Sequence, residues 1–577
     1  MKTIYSTILF LILAVLNSFS IDAAIRIPSA DYYESIYYIE TSDDYESVYY
    51  FEKSFFDPNI QSDLNQHYKY KDNFSDYDIQ VKGKIKVNND DTGIISISPG
   101  GSLKVSKKTF GNKRAVLIES NSKGDLNYEY YEGRTKIDYI PEGEKWLADI
   151  LLDVVRITGI DADGRVNRIY SKDGIDGVLE EISMITSNSV SVIYFEALLD
   201  DHKLNDSENM AVSSAISKLS SNTARGDLYT TYSSLFLYNA NTSISFFTSL
   251  SKLSSNSEKA RVLTHISKKI DFENKDVIEA YFAVIDRMSS NTERGRVLRN
   301  LENEQELTNN TYVRLLQSVG KFTSSTEMGS TIRSLDNMDI SNPMISEAYF
   351  NAIDKMSSNS ERGSTLRQLI KTQKLSISNY ARMLGSIKKL TSNTEMGSVL
   401  RTFPEMEMTD STIVEPYFLA VKGMTSNSEA GSVLRDAISK YKMNNYSWTI
   451  LFSTTARMTS NTEMGQVLSS ATTKMPFNRT VLDAFFLTLN KLSSNTEMGS
   501  VMGKVIKSNK FDKYACLGVL NSCLKMSSNS EIASVLKKVA ETEWIKDEEV
   551  KSKYIQVAKS MSSDSYYREV IDLLIDN

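Results

Sequence analysis

Very little in this chain of 577 residues is suited to chemistry. It has two cysteines, three histidines and eight prolines. Cys516 and Cys523 lie seven residues apart in one expected helix, about 10 Å along its axis, which is too far for a disulfide between them. They read as core residues. His67, His202 and His265 are scattered, and none has a His or Cys neighbour at ligand spacing, so the sequence suggests no zinc site. There is no Gly-x-Ser-x-Gly elbow and no phosphate loop ending Gly-Lys-Ser/Thr. Asp161-Ala162-Asp163-Gly164 opens like a calcium loop but lacks the later ligands, and reads as a turn. These gaps argue against an enzyme and against a bound cofactor or metal. No stretch beyond the first residues approaches the ~18 consecutive apolar residues of a membrane span. No basic run stands out, and the net charge is −7. Nucleic acid and anionic membrane surfaces are therefore poor candidate partners on overall charge.

One phrase is present in abundance. Its fullest form is Ser494-Asn495-Thr496-Glu497-Met498-Gly499-Ser500-Val501. Its asparagine recurs at Asn188, Asn222, Asn256, Asn291, Asn359, Asn393, Asn427, Asn461, Asn495 and Asn529, with Ser325 and Asp564 in the same slot. The step is 34 residues, twice 35, and a near-fixed period of this size marks stacked supersecondary units. The Ser-x-x-Glu pair has the form of a capping box, so the phrase is placed at a helix start. After Ser392 an apolar stripe follows at Met396, Val399, Leu400 and Phe403. A second helix precedes each phrase, as at Tyr417, Ala420, Val421 and Met424. The unit is helix, polar turn, helix.

Two columns of the repeat invite a binding role. Gly295, Gly329, Gly363, Gly397, Gly431, Gly465 and Gly499 share one position, with Ala260 and Ala533 in the same column. A phosphate cradle is conceivable there, but small residues that admit a neighbouring helix are the better reading. Arg299, Arg333, Arg367, Arg401 and Arg435 occupy the other column. They form either a ladder that grips an acidic or extended protein or peptide partner or a structural ladder paired with Glu293, Glu327, Glu361, Glu395 and Glu429. The matching spacing of those glutamates favours the second.

Residues 1–20 have the form of a secretory signal. Lys2 is followed by the apolar run Ile8–Leu16, and Ser18-Phe19-Ser20 supplies small residues for cleavage. An exported protein, periplasmic or extracellular, is expected. Residues 21–75 form a Tyr-rich acidic arm, expected to be poorly ordered or locally docked, in which Asp31–Tyr38 is echoed by Asp44–Tyr50. Residues 76–158 change to a period of two. Ile79, Val81, Ile85 and Val87 alternate with Gly83 in register, and later strands are punctuated by Gly111, Gly124 and Gly133. A small antiparallel β-meander is expected, covered by a helix carrying Trp146, Leu147, Ile150, Leu151, Val154 and Val155. Residues 159–577 are expected to form an α-solenoid of about twelve repeats. The fold class is α+β, mostly α.

Ser96-Ile97-Ser98-Pro99-Gly100-Gly101, Trp146-Leu147-Ala148 and Thr158-Gly159, followed by the Ser-Asn/Asp-x-Glu repeats, resemble a group of exported bacterial proteins. These join a small β domain to helical repeats, and some relatives attach similar regions to membrane sensor peptidases of the beta-lactam-sensing type. The resemblance spans residues 76–577 and implies an envelope location with a sensing or scaffolding role. It brings no active site, since the His-Glu-x-x-His helix of those peptidases is absent. The array shares its repeat length with tetratricopeptide repeats but not their Trp, Gly-Tyr and Pro signature. The functional expectation is a non-enzymatic scaffold that binds protein or peptide. The alternatives are a structural or adhesive surface protein using the Tyr-rich arm, and an envelope regulator or hydrolase.

Overall fold

The computed structural model describes residues 36–42, 45–51, 65–72 and 74–575, with the backbone alone for residues 36–42, 45–51 and 575. The expected signal segment 1–20 lies outside the described residues. The chain divides into two compact units, up to Lys203 and from Leu204 onward.

In the first unit, β1 (Ile36–Ser42) and β2 (Tyr45–Phe51) form an antiparallel hairpin in which Tyr37 faces Tyr50 and Tyr38 faces Tyr49. The described parts of the two echoed Tyr-rich segments are thus strand partners; the rest of the expected arm lies outside the described residues. A six-stranded antiparallel sheet follows, in the order β10-β9-β8-β7-β4-β3. Its strands are β3 (Asn65–Lys71), β4 (Ser75–Lys82), β7 (Ser102–Thr109), β8 (Asn112–Ser120), β9 (Leu126–Glu132) and β10 (Thr135–Ile137). The expected boundary at residue 76 therefore falls inside β4, and the sheet begins at Asn65. A separate hairpin, β5 (Ile85–Val87) and β6 (Ile94–Ile97), interrupts the order. Gly83 does not continue a strand. Its φ of +81° turns the chain between β4 and β5, and a Cβ there would strike the Ser98 hydroxyl.

One face of the sheet is apolar at alternate positions: Tyr77, Ile79 and Val81 on β4, Leu103 and Val105 on β7, Val116 and Ile118 on β8. The helix α1 (Glu144–Thr158) joins this core with Trp146, Leu147, Ile150, Leu151, Val154 and Val155, as expected. Two further helical segments complete the unit: α2 (Ala162–Met184), broken at Gly174 where φ is +65°, and α3 (Asn188–Asp201), which starts at the first copy of the phrase. A buried ionic cluster ties α2 to the rest of this unit. Arg165 reaches Asp91 at 2.7 Å and Glu181 at 2.6 Å, and Arg156 meets Glu181 at 2.7 Å. Burial alone would raise the Glu181 pKa, but the two guanidinium groups outweigh it and hold it below the usual carboxylate range.

The second unit is an array of eleven helix pairs, such as Ser411–Lys422 with Asn427–Lys440. Each first helix packs on the first helix of the next repeat, and each second helix on the next second helix. The expected helix starts are correct. Ser392, Ser426 and Ser460 are N-caps whose hydroxyls accept from the N–H groups of Glu395, Glu429 and Glu463. The reciprocal half of the capping box is absent in these helices, because their glutamates are engaged elsewhere.

Candidate functional site

The repeat phrase builds two ladders between repeats. The first uses its asparagine. Asn393 is the first residue of its helix, and its Oδ1 accepts from the N–H of Thr425 in the next repeat at 2.9 Å. Its Nδ2 donates to the Thr425 hydroxyl, also at 2.9 Å. Asn222, Asn256, Asn291, Asn359, Asn427, Asn461, Asn495 and Asn529 hold the next turn in the same way, each accepting from its N–H at 2.8–3.0 Å. Ser325 substitutes, accepting from the N–H of Ser357 at 3.0 Å. The asparagine is therefore a clamp on the next repeat as well as a helix-start residue. Its signal in the sequence is the Ser or Thr that precedes each capping serine, about 32 residues further on.

The second ladder is the arginine column. Nη1 of Arg299, Arg333, Arg367, Arg401 and Arg435 lies 3.4, 2.9, 2.7, 3.0 and 2.8 Å from Oε2 of Glu327, Glu361, Glu395, Glu429 and Glu463, each in the following repeat. The structure pairs all five within the array, each with the following repeat, so that Glu463 closes the ladder and Glu293, named from spacing, stands outside it. The glycine column makes room for the same carboxylates. A Cβ on Gly397 would sit 2.5 Å from Glu429 Oε2, and one on Gly465 would sit 2.5 Å from Glu497 Oε2. The column admits a carboxylate rather than a helix backbone. Where the column holds Ala260, the following Glu293 turns instead to Arg296 of its own helix at 2.6 Å.

The ladder stops after Arg435. Ser469 and Gly503 stand where the next two arginines would be. Among the described residues, Glu497 and Glu531 pair with no basic side chain. A groove of about 610 Å³ opens at this point, on the face of the second helices, with the cations Arg435 and Lys474 and the apolar Ile438 in its wall. Ser469, Ser470 and Ser500 line it with hydroxyls, Gln466 with an amide, Glu497 with a carboxylate and Lys504 with an ammonium group.

Several of the other residues weighed for chemistry are held in structural contacts, while His265 is exposed. Asp161 accepts from the N–H of Val87 at 3.1 Å and from Arg168 at 2.9 Å, which makes its loop a turn. His67 meets Asp78 at 3.0 Å, and His202 stacks on Tyr170 with ring centroids 4.0 Å apart. Cys516 and Cys523 are free and buried, and burial pushes both thiols up to about 12.

No protein-family model and no curated protein matches this chain. Among solved structures it is similar to a pentatricopeptide repeat protein, PPR10, in complex with an 18-nt psaJ RNA element, at 13% identity and a TM-score of 0.22, over 76% of this chain and 77% of that one. It is also similar to the APC/C hetero-tetramer Cut9-Hcn1, at 9% identity and a TM-score of 0.14, over 73% of this chain and 94% of that one.

Proposed function

We propose that this protein is an exported, non-enzymatic binding scaffold whose repeat array holds an extended polar peptide segment of a partner protein. The observation that carries this reading is the interrupted arginine ladder. Five rungs are filled from within, and at the sixth a serine leaves a carboxylate without its cation beside an open groove. Mixed donors and acceptors on a shallow face match the backbone and polar side chains of an extended chain. A basic side chain of the partner would take the position of the missing guanidinium on Glu497. Export is supported by Lys2 and the apolar run Ile8–Leu16, and the resemblance to exported bacterial proteins supports an envelope location.

The test restores the rung. Ser469→Arg supplies the missing partner of Glu497 and fills the groove. Native protein and this variant, both confirmed folded by circular dichroism, are used as baits for crosslinking capture from an envelope extract. A partner captured by the native bait and lost with Ser469→Arg is the expected result. Identical captures would remove the groove as the site.

A further inference from the structure

The sheet carries a second unusual surface, far in sequence from the groove. Its register brings three turns to one end: Ser75 faces Thr109 beside the β3–β4 and β7–β8 turns, and Arg114 faces Glu132 beside the β9–β10 turn. Phe74 and Phe110 project from two of these turns, 65% and 82% exposed. Their rings meet edge to face with centroids 6.2 Å apart. The carboxylate of Asp72 fixes the first turn by accepting from the N–H groups of Phe74 and Ser75.

Three features of this end disfavour the folded domain on its own. Two large apolar rings stand in water. Phe110 has φ +48°, a left-handed conformation suited to Gly or Asn and strained for an aromatic residue. Lys108 also lies directly opposite Lys113, and Lys107 opposite Arg114, so the hairpin sets like charges face to face. Lys107 is relieved by Asp153 at 3.6 Å and Arg114 by Glu132 at 3.4 Å. Lys108 and Lys113 are exposed, as are Lys71 and Arg134 nearby, and among the described residues none of the four pairs with a carboxylate within 4.0 Å. On the neighbouring hairpin Asp76 stands in register opposite both Lys71 and Lys108 without forming an ion pair with either, Asp72 lies in the turn, and Asp78 is held by His67. Residues 107–114 carry four cations and no acid in a chain whose overall charge is −7.

We propose that this end of the sheet docks on the surface of an anionic lipid bilayer. Such a surface rewards both features at once. The rings enter the boundary between headgroups and acyl chains, and the ammonium groups lie among the phosphates. Four unpaired cations spread around two rings match a diffuse field of headgroups better than a single carboxylate in a protein pocket. The negative net charge belongs to the whole chain, and the local field of this tip has the opposite sign.

The purified full chain is sedimented with vesicles of phosphatidylcholine, and with vesicles of phosphatidylcholine mixed with phosphatidylglycerol. Binding to the mixed vesicles alone, weakening with salt, is expected. The double variant Phe74→Ser/Phe110→Asn loses about tenfold or more in vesicle affinity, while its melting temperature stays level or rises because Asn suits the left-handed position. Lys108→Glu/Lys113→Glu removes the preference for the anionic lipid. Native protein that ignores the mixed vesicles, or a phenylalanine variant that binds them as well as native, overturns the proposal. A photo-crosslinker at position 110 that captures a protein, with no vesicle binding, overturns it in favour of a protein pocket.

Discussion

At the scale of the residue, one carboxylate is shared by two neighbours. Glu429 lies over Gly397 and against Arg401, both in the preceding repeat. Gly397→Ala gains about 1 kcal/mol of helix propensity but displaces this ion pair, worth about 1 kcal/mol at partial exposure. Its net effect is expected near zero in the native background. In a Glu429→Ala background the clash is gone, and the same substitution stabilises by about 1 kcal/mol. Urea unfolding of the four proteins in this cycle measures the coupling. Asn393→Ala removes both bonds to Thr425 and is expected to lower stability by about 1 kcal/mol. The buried thiols of Cys516 and Cys523 should not react with a thiol reagent at mildly alkaline pH until the array is unfolded by denaturant.

At the scale of the element, the first helices carry an ionic cluster of their own. Asp354 meets Arg382 at 3.2 Å and Lys389 at 2.6 Å, both from the next repeat, and its side chain is 8% exposed. Burial works to raise its pKa, but Lys389, Ser386 and Arg382 outweigh burial and hold it below the usual range. Asp286 is set the same way by Lys321, Ser318 and Arg314. A folded-state pKa below the unfolded value stabilises above the ordinary aspartate range and is lost as pH falls through the folded value. Asp354→Asn is therefore expected to cost about 2 kcal/mol at neutral pH, and this difference should vanish in acid; thermal unfolding at both pH values checks it.

Helix starts were legible because a capping serine and an apolar stripe are local signals. Which arginine each glutamate would take, and that it would abandon the capping role for it, was not. Ser-x-x-Glu describes a capping box equally well, and the outcome is decided by a glycine and an arginine of the preceding repeat. The arginine column and its glutamates could be read from spacing, but the break at Ser469 and the groove beside it needed the three-dimensional stacking. Strand β3 was invisible for another reason. Asn65-Gln66-His67-Tyr68-Lys69-Tyr70-Lys71 has no apolar alternation, because as an edge strand it buries only Tyr68.

At the scale of the whole molecule, the chain forms two compact units, and in the second each repeat contacts its neighbours in sequence. A fragment from Leu204 onward is expected to fold without the β domain, with the helical circular dichroism of an intact array. An in-frame second copy of residues 393–426 should also be accepted, leaving a folded chain whose melting temperature is equal or higher.

Both ladders run in one direction. The clamp asparagine and the arginine belong to one repeat, and the turn and the glutamate they hold belong to the next. Each unit that has a successor thus carries a plug, its clamp residue, at one end, and its successor presents a socket, with a second plug wherever the arginine is present. Slippage or unequal recombination that adds or drops a unit in phase leaves each plug facing a socket. The length of such a protein can drift over generations by whole repeats, with no new contact to be invented, and selection is free to act on which rungs remain empty.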